Sequence, residues 1–329
     1  MSQKEQLSES FVSLVIPVYN EERFIPKCLQ SLERQTYDKK HFEVLLIDGG
    51  STDSTLSIIE EYSGDLNIRL LNNEKRIVTY ALNLGISEAV GQFILRMDAH
   101  AEYDEQYIEK CIQCLIETGA DNVGGVATTR GIGLIGSVNA EILSSKFGVG
   151  NSHFRTECKS GYVDTVPFGA FRREVFEKVG VFDPELPRSE DNDFNSRIHK
   201  KGGKVYLSTD IKFTYYCRDT IKGLLEQAVK NGNALFLTLR RNPMAMSVRH
   251  FVPFAFLCSI IFLTIFSVWF AIFRYIFCLE AAAYGILDLY FSAFKGNIKT
   301  FPLKFLMYPL FHITYGVGSL LGMINIKLY

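Results

Sequence analysis

The chain has 329 residues, is 47% hydrophobic and carries a formal net charge of -1. That length suits one large domain with a smaller addition, and the near-zero charge gives no general reason to expect a nucleic-acid partner. Residues 1–250 read as a charge-rich soluble α/β protein, whereas 251–329 hold few charges among many Phe, Leu, Ile and Tyr.

The opening "MSQKEQLSES" is polar, and the apolar run behind it, Phe11 to Val18, is strand-length and interrupted by Pro17. No signal peptide is therefore expected, and the N-terminal domain should stay in the cytosol. "FVSLVIPVYN" reads as a buried strand. "EERFIPKCLQSLERQ" follows at helical spacing through Phe24, Ile25, Cys28, Leu29 and Leu32, with Pro26 suited to a first turn. "FEVLLIDGGSTDST" gives a strand from Phe42 to Ile47, an acid at its end, a Gly-Gly turn and the candidate N-caps Ser51 and Thr52. "TLSIIEEY" is helical, "IRLLNN" a short strand, "IVTYALNLGISEAV" a helix and "QFILRMD" a further strand. Strands alternating with helices predict a mostly parallel sheet covered on both faces.

Ligands of such sheets bind beyond the carboxyl ends of the strands. Asn20 and Glu21, Asp48, and Asp98 with His100 all follow strand ends, so three strands deliver acids or amides to one edge. Neither GxGxxG after the first strand nor GxxxxGK[ST] is present, which disfavours the usual dinucleotide fold and the P-loop. An Asp and a His two residues apart can turn toward one point and hold a divalent ion that also touches nucleotide phosphates. "DAH" alone is a weak signal, and a solvated loop histidine is the alternative. Cys111 and Cys114 form a CxxC, but in "YIEKCIQCLIETG" they fall at helical spacing and read as buried thiols. The seven cysteines are scattered and odd in number, so no disulfide framework is expected.

"FVPFAFLCSIIFLTIFSVWFAIF", residues 251–273, has no formal charge and exceeds a hydrocarbon core of about 30 Å at about 1.5 Å per residue. Arg240, Arg241 and Arg249 precede it, which places that side in the cytosol. The stretch from Tyr275 to Phe294 carries Glu280 and Asp288, so it spans with those groups facing a partner or lies in the interface. The run Phe305 to Ile326 holds Pro309, His312, Gly316, Gly318 and Gly322, which fits close helix packing or a broken helix. His312 reads as a hydrogen-bonding group inside the bundle. One to three spans are expected. The domains are expected to divide as 1–245, cytosolic, and 246–329, membrane region.

"VSLVIPVYNEERFIPKCLQSL", "EVLLIDGGSTDST", "ILRMDAHAEY", "PFGAFRREVFEKVGVFDPEL" and "SEDNDFNSRIHKKGGKVYL" occur in an order and spacing that resemble the inverting glycosyltransferases of family 2, over residues 11 to about 215. "RMDAHAEY" and the late "HITYGVGSLLG" are similar to the succinoglycan-assembly glucosyltransferases. The resemblance implies a GT-A fold, a nucleotide-diphospho sugar donor with a UDP-sugar first among them, and a divalent metal, Mn²⁺ or Mg²⁺. It implies that Asp98 coordinates the metal and contacts the donor. His100 stands where the family has a second Asp, which favours Mn²⁺. It implies that Pro17, Tyr19, Asn20 and Glu21 form the wall around base and ribose, that Asp48 reads the nucleobase, and that Arg76 and Asn83 sit among donor contacts. Gly49 stands where a second acid is common. The family's base lies in a Glu-Asp pair before a helix, here Glu190-Asp191, with Asp191 the base and Glu190 supporting. Asp193 is the alternative base, and an N-cap enriched in acids is the alternative for "SEDND" as a whole.

Processive members carry Gln-x-x-Arg-Trp near the membrane. "QAVKN", Gln227 to Asn231, lacks the Arg and the Trp, so one sugar per encounter is expected. A membrane-tethered site suggests a lipid-linked saccharide acceptor in bacterial polysaccharide assembly. Lys230, Arg240, Arg241 and Arg249 are candidates to meet its diphosphate or are ordinary positive-inside anchors. The moved sugar is expected to be glucose or a related hexose. The rival readings are transfer onto a polyprenyl monophosphate and a non-catalytic nucleotide-sugar-binding component of a polysaccharide complex.

Overall fold

Val12–Val18 (β1) and Phe42–Asp48 (β2) are almost wholly buried apolar strands paired in parallel, with Val18 opposite Asp48. This computed structural model describes residues 10–156 and 159–328. The polar opening 1–9, from which the lack of a leader is read, and Cys158 lie outside the described residues. Between β1 and β2 runs α1 (Ile25–Glu33), which has Pro26 in its first turn and buries Ile25, Cys28, Leu29 and Leu32. The apolar positions recur at three and four residues, so they share one face and dock on the sheet. The chain continues through α2 (Thr55–Glu60), β3 (Ile68–Asn72), α3 (Val78–Glu88), β4 (Phe93–Arg96) and β5 (Ala101–Tyr103). Then come α4 (Tyr107–Thr118), β6 (Asn122–Arg130), α5 (Gly133–Leu143), α6 (Lys146–Val149), α7 (His153–Thr156), β7 (Gly161–Tyr162) and β8 (Ala170–Arg172). They are followed by α8 (Arg173–Val179), α9 (Glu190–Lys200), β9 (Val205–Tyr216) and α10 (Ile221–Arg241).

The sheet order is β3-β2-β1-β4-β8-β6-β9-β5, with β7 beside β9. The parallel part predicted by the alternation is β3-β2-β1-β4. Beyond β4 the pairs β4–β8, β6–β8, β5–β9 and β7–β9 are antiparallel. The whole is thus a mixed sheet: antiparallel pairs need no strand–helix–strand crossover, so the strands that join beyond β4 do not show the alternation from which parallel pairing is read. Cys111 and Cys114 lie buried on α4 as free thiols. Burial holds both in the thiol form, with Cys114 pushed up to about 11.

Packing separates two compact units, one of Met1–Thr128 with Cys158–Tyr215 and one of Thr129–Glu157 with Tyr216–Tyr329. Composition divides the chain at 245/246 instead. The difference arises because α5, α6 and α10 pack with the C-terminal helices.

In that second unit α11 (Val252–Ser267), α12 (Ala271–Phe294) and α13 (Phe301–Met323) follow one another. The uncharged run 251–273 is not one helix: Phe270 is extended, at φ -127° and ψ 119°, and the chain turns before α12. Two helices among the described residues are long and apolar enough to cross a membrane, Val248–Ser267 and Ala271–Phe294. The second of them is inside out. Leu279 and Ile286 are exposed, while Asp288 and Ser292 are buried and bonded to each other at 2.9 Å. α13 is continuous through Pro309 and buries one face. It lies so close to α10 that a Cβ on Gly232 would sit 2.0 Å from the Tyr315 carbonyl oxygen, and one on Gly318 2.0 Å from that of Val229. His312 hydrogen-bonds inside the bundle, to the Phe147 carbonyl at 3.0 Å and the Tyr284 hydroxyl at 2.9 Å.

Two arginines that were candidates for a lipid diphosphate are engaged otherwise. Arg240 caps the C-terminus of α13 through the Gly322 and Met323 carbonyls at 3.2 and 2.6 Å, and Arg249 donates to the Asn151 carbonyl at 2.8 Å.

Candidate active site

The loops after β1 and β2 are stitched together. Asn20 is in the left-handed region at φ 55°; its N–H donates to Ser51 Oγ at 3.0 Å and its Oδ1 accepts from the Thr52 N–H at 2.8 Å. The Glu21 N–H donates to Thr55 Oγ1 at 2.7 Å. Asp48 is buried and closes its own turn, accepting from the Gly50 N–H at 2.8 Å and from Ser51 Oγ at 2.6 Å. That turn needs Gly50, whose φ is +81°. A Cβ there would also meet the Arg76 guanidinium, with Nε 3.1 Å away, so Arg76 lies over the Asp48 turn. Arg76 itself sits at φ 57°. Tyr19 is exposed, and its ring would lie 3.6 Å from a Cβ on Gly49. Pro17 is inside β1, opposite Ile47.

β4 carries the second group. Arg96, its last residue, lies opposite Val15 of β1. The chain then turns through Asp98 and His100 before β5. Tyr103 fixes that turn: its hydroxyl accepts from the Asp98 N–H at 2.7 Å and donates to the Asp98 carbonyl at 3.0 Å. His100 Nδ1 is 2.9 Å from Glu21 Oε1, and Nε2 is 3.8 Å from Asp98 Oδ2. The imidazole also packs beside Tyr215, at 5.3 Å between centroids.

α9 delivers the third group. Glu190 and Asp191 open it behind Ser189, a non-glycine residue at φ 62°. The buried Arg96 guanidinium gathers three carboxylates: Nη2 lies 3.3 Å from Asp98 Oδ1 and 3.2 Å from Glu190 Oε1, and Nη1 lies 3.7 Å from Asp191 Oδ2. Its face covers the ring of Phe168, itself at φ 49°, at 5.0 Å. Burial disfavours the guanidinium charge, but Asp191, Asp98 and Glu190 outweigh burial and Arg96 stays protonated. Burial pushes the Asp191 carboxyl up; Arg96 opposes this, Glu190 and Asp98 add to it, and the result is about 7. Asp193, the alternative base, is buried and tied to Arg197 at 2.9 Å, as a helix-internal pair.

The predicted residues therefore lie along one polar track. It runs from Asp191 and Glu190 through Arg96 to Asp98, His100 and Glu21, then through Asn20 and Ser51 to Asp48 and Arg76. Asn83 is not on it. Its amide bridges the backbone of Phe182, at 2.8 and 3.0 Å, and pins α3 to the loop after α8. Four non-glycine residues in the left-handed region, Asn20, Arg76, Phe168 and Ser189, border the track; backbone strain of this kind concentrates at functional sites. Sequence reasoning missed Arg96 and Tyr103, although both stand in "LRMDAHAEY".

The model of "Glycosyl transferase family 2" matches residues 13–180. A dolichyl N-acetyl-alpha-D-glucosaminyl phosphate 3-beta-D-2,3-diacetamido-2,3-dideoxy-beta-D-glucuronosyltransferase of Methanococcus voltae is 31% identical over 258 residues, covering 75% of this chain and 79% of that one. The chain belongs to glycosyltransferase family 2. The succinoglycan biosynthesis protein ExoA of Rhizobium meliloti is 28% identical over 254 residues, 76% of this chain and 77% of that protein. Among solved structures, the mannosyltransferase PcManGT of Pyrobaculum calidifontis, in complex with GDP-Man and Mn²⁺, superposes with a TM-score of 0.62 at 18% identity. That superposition covers 96% of this chain and 87% of the mannosyltransferase. The family 2 glycosyltransferase described here thus has the GT-A fold.

Proposed function

We propose that this glycosyltransferase moves a hexose, glucose or a related sugar, from a nucleotide-diphospho sugar to a hydroxyl of a membrane lipid-linked saccharide, with inversion, in polysaccharide assembly. The observation that carries the reading is Asp191, a carboxylate beside Arg96 whose pKa is raised to about 7. Such a group is a stronger base than an ordinary aspartate and still ionises near neutral pH. As the acceptor oxygen bonds to the anomeric carbon, Asp191 takes its proton and the sugar–phosphate bond breaks toward the nucleoside diphosphate. One displacement inverts the anomeric centre. Glu190 supports the base by sharing Arg96 with it. Pro17, Tyr19 and Asn20 belong to the wall around base and ribose, Asp48 reads the nucleobase, and Arg76 and Asp98 contact the donor. UDP is the expected nucleotide, and the GDP-Man in the related mannosyltransferase structure makes GDP the comparison to include.

Among the described residues no group of three or more His, Cys, Asp or Glu side chains is arranged to hold a metal ion. Asp98 Oδ2 and His100 Nε2 nevertheless face each other as a hard oxygen and an imidazole nitrogen. Those two side chains would hold Mn²⁺ or Mg²⁺, for which a hard oxygen and an imidazole nitrogen are suitable donors. The ion would supply positive charge to the diphosphate that departs.

The exposed apolar surfaces of Val248–Ser267 and Ala271–Phe294 support a membrane region at 246–329, with the arginines before it keeping residues 1–245 on the cytosolic side. The names of the Methanococcus and Rhizobium relatives support an acceptor that is a lipid-phosphate-linked sugar or a growing polysaccharide unit. A polyprenyl monophosphate acceptor is the second reading. Its attacking oxygen is already ionised and needs no base, so the raised Asp191 favours a hydroxyl. A donor panel with membranes and Mn²⁺, read by mass spectrometry, separates a diphosphate-linked product from a monophosphate-linked sugar. Asp191→Asn is expected to lose about 10²–10⁴-fold in turnover while still binding donor; unchanged turnover would remove Asp191 as the base.

A further inference from the structure

The resemblance placed Glu21 among the residues that wall the donor. Its side chain instead meets His100, with Oε1 2.9 Å from Nδ1. Both side chains are largely buried, at 13% and 23% exposure. A carboxylate oxygen only accepts, so Nδ1 is the nitrogen that donates to Glu21, and in the neutral ring that tautomer carries its lone pair on Nε2. Nε2 is the nitrogen turned toward Asp98 Oδ2, at 3.8 Å.

Glu21 is itself held in place. Its N–H donates to Thr55 Oγ1 at 2.7 Å, and its carbonyl accepts from the N–H groups of Phe24 and Ile25 at 2.9 and 2.8 Å. Asn20, at φ 55°, precedes it and is tied to the β2 loop. The loop that surrounds Glu21 is thus fixed by four backbone-level contacts, and the ring it holds is packed by Tyr215.

From this geometry we infer that Glu21 is a positioning residue. It fixes the tautomer and the plane of His100, so that Nε2 and Asp98 Oδ2 face a cation that accompanies the donor. Metal-binding histidines are commonly oriented in this way by a carboxylate on the other ring nitrogen, and losing that partner typically weakens metal binding 10–100-fold. The inference rests on the reading of Asp98 and His100 as the cation pair. It changes what Glu21 does: the side chain acts on His100 and leaves the nucleotide alone.

The test uses the full-length protein in detergent. Mn²⁺ is titrated in the presence of UDP, and again with GDP, and free Mn²⁺ is followed by electron paramagnetic resonance. Binding of UDP and GDP in EDTA is measured beside it. Glu21→Ala and the bulkier Glu21→Leu should each weaken Mn²⁺ about 10–100-fold. Glu21→Gln, whose amide oxygen accepts the same N–H, should stay within a few-fold of wild type. Nucleotide affinity in EDTA should be unchanged in all three. Wild-type Mn²⁺ affinity in the folded Ala and Leu variants, with His100→Ala defective, would overturn the role of Glu21 and leave the cation pair standing. Loss of nucleotide affinity in EDTA would also overturn it and return Glu21 to the donor wall. If wild type takes up no Mn²⁺ with either nucleotide, or His100→Ala binds Mn²⁺ as well as wild type, the cation pair itself falls and the inference with it.

Discussion

Arg96→Met is the substitution whose outcome reports most directly on the site. The side chain keeps its length and loses its charge, and Asp98, Glu190 and Asp191 lose a common counter-ion. The guanidinium Nη1 lies 3.7 Å from Asp191 Oδ2. At an effective dielectric of about 20, two charges about 4 Å apart attract by about 4 kcal/mol. At about 1.36 kcal/mol per unit that corresponds to about three pKa units. The Asp191 side chain is 24% exposed, and solvent screening reduces the effect to about one or two units. Arg96 lowers the Asp191 pKa, so removing it moves that pKa upward. A base must be deprotonated to work, so activity rises with pH through its pKa. In wild type the acidic limb of kcat/KM, followed as nucleoside diphosphate release, should lie near 7. In Arg96→Met it should move up by about one or two units, and Arg96→Lys should leave it near its wild-type position. Leaving buried carboxylates unpaired should also lower stability by about 3–5 kcal/mol, seen as a lower Tm. A folded, active Arg96→Met enzyme with an unmoved limb would show that the base is not the carboxylate beside Arg96.

Asp193→Asn should lower stability by about 1–3 kcal/mol, through the weakened contact to Arg197 at 2.9 Å, while leaving the acidic limb in place. Activity lost without a change in Tm would instead mark Asp193 as the base. Gly318→Ala puts a Cβ 2.0 Å from the Val229 carbonyl and should cost about 1–3 kcal/mol in detergent melts. Gly285→Ala, where a Cβ meets nothing within 4 Å, should be neutral or stabilising, and equal effects of the two would refute the close packing of α10 and α13. Lys304 is fully buried and donates to Glu141 at 2.7 Å and to the Lys295 carbonyl at 2.8 Å. Lys304→Met should cost about 3–5 kcal/mol and Lys304→Met with Glu141→Gln clearly less, because the second change removes the stranded charge; additive losses in thermal unfolding would contradict this.

The parallel half of the sheet was legible because each strand is a run of apolar residues ended by a polar one and followed by a helical period, as in "FEVLLIDGGSTDST". The antiparallel half was not. β5 and β8 span three residues each and β7 two, too few to show an alternation, and β5 pairs with residues 213–215. Asp48, Asp98 and His100 could be picked out because they follow strands. Arg96 could not be assigned a role, since Glu190 is 94 positions away and nothing local distinguishes a strand-end arginine that faces solvent from one enclosed by carboxylates. The contact of Glu21 with His100 was not legible, because it depends on how two loops fold toward each other. The turn at Val268–Phe270 is hidden by its own residues, which include neither Gly nor Pro and continue the apolar run.

Phe147, on the four-residue helix α6, has its ring among those of Tyr284, Phe291, Tyr308 and His312, and its carbonyl accepts from His312. Every one of those partners comes after residue 245. Trimming the protein there to obtain a water-soluble fragment would strip an aromatic socket from around a side chain that stays behind. The C-terminal helices are for that reason not an interchangeable tether, and grafting a generic hydrophobic anchor in their place would need to rebuild the seat for Phe147 before the fragment behaved like the native enzyme.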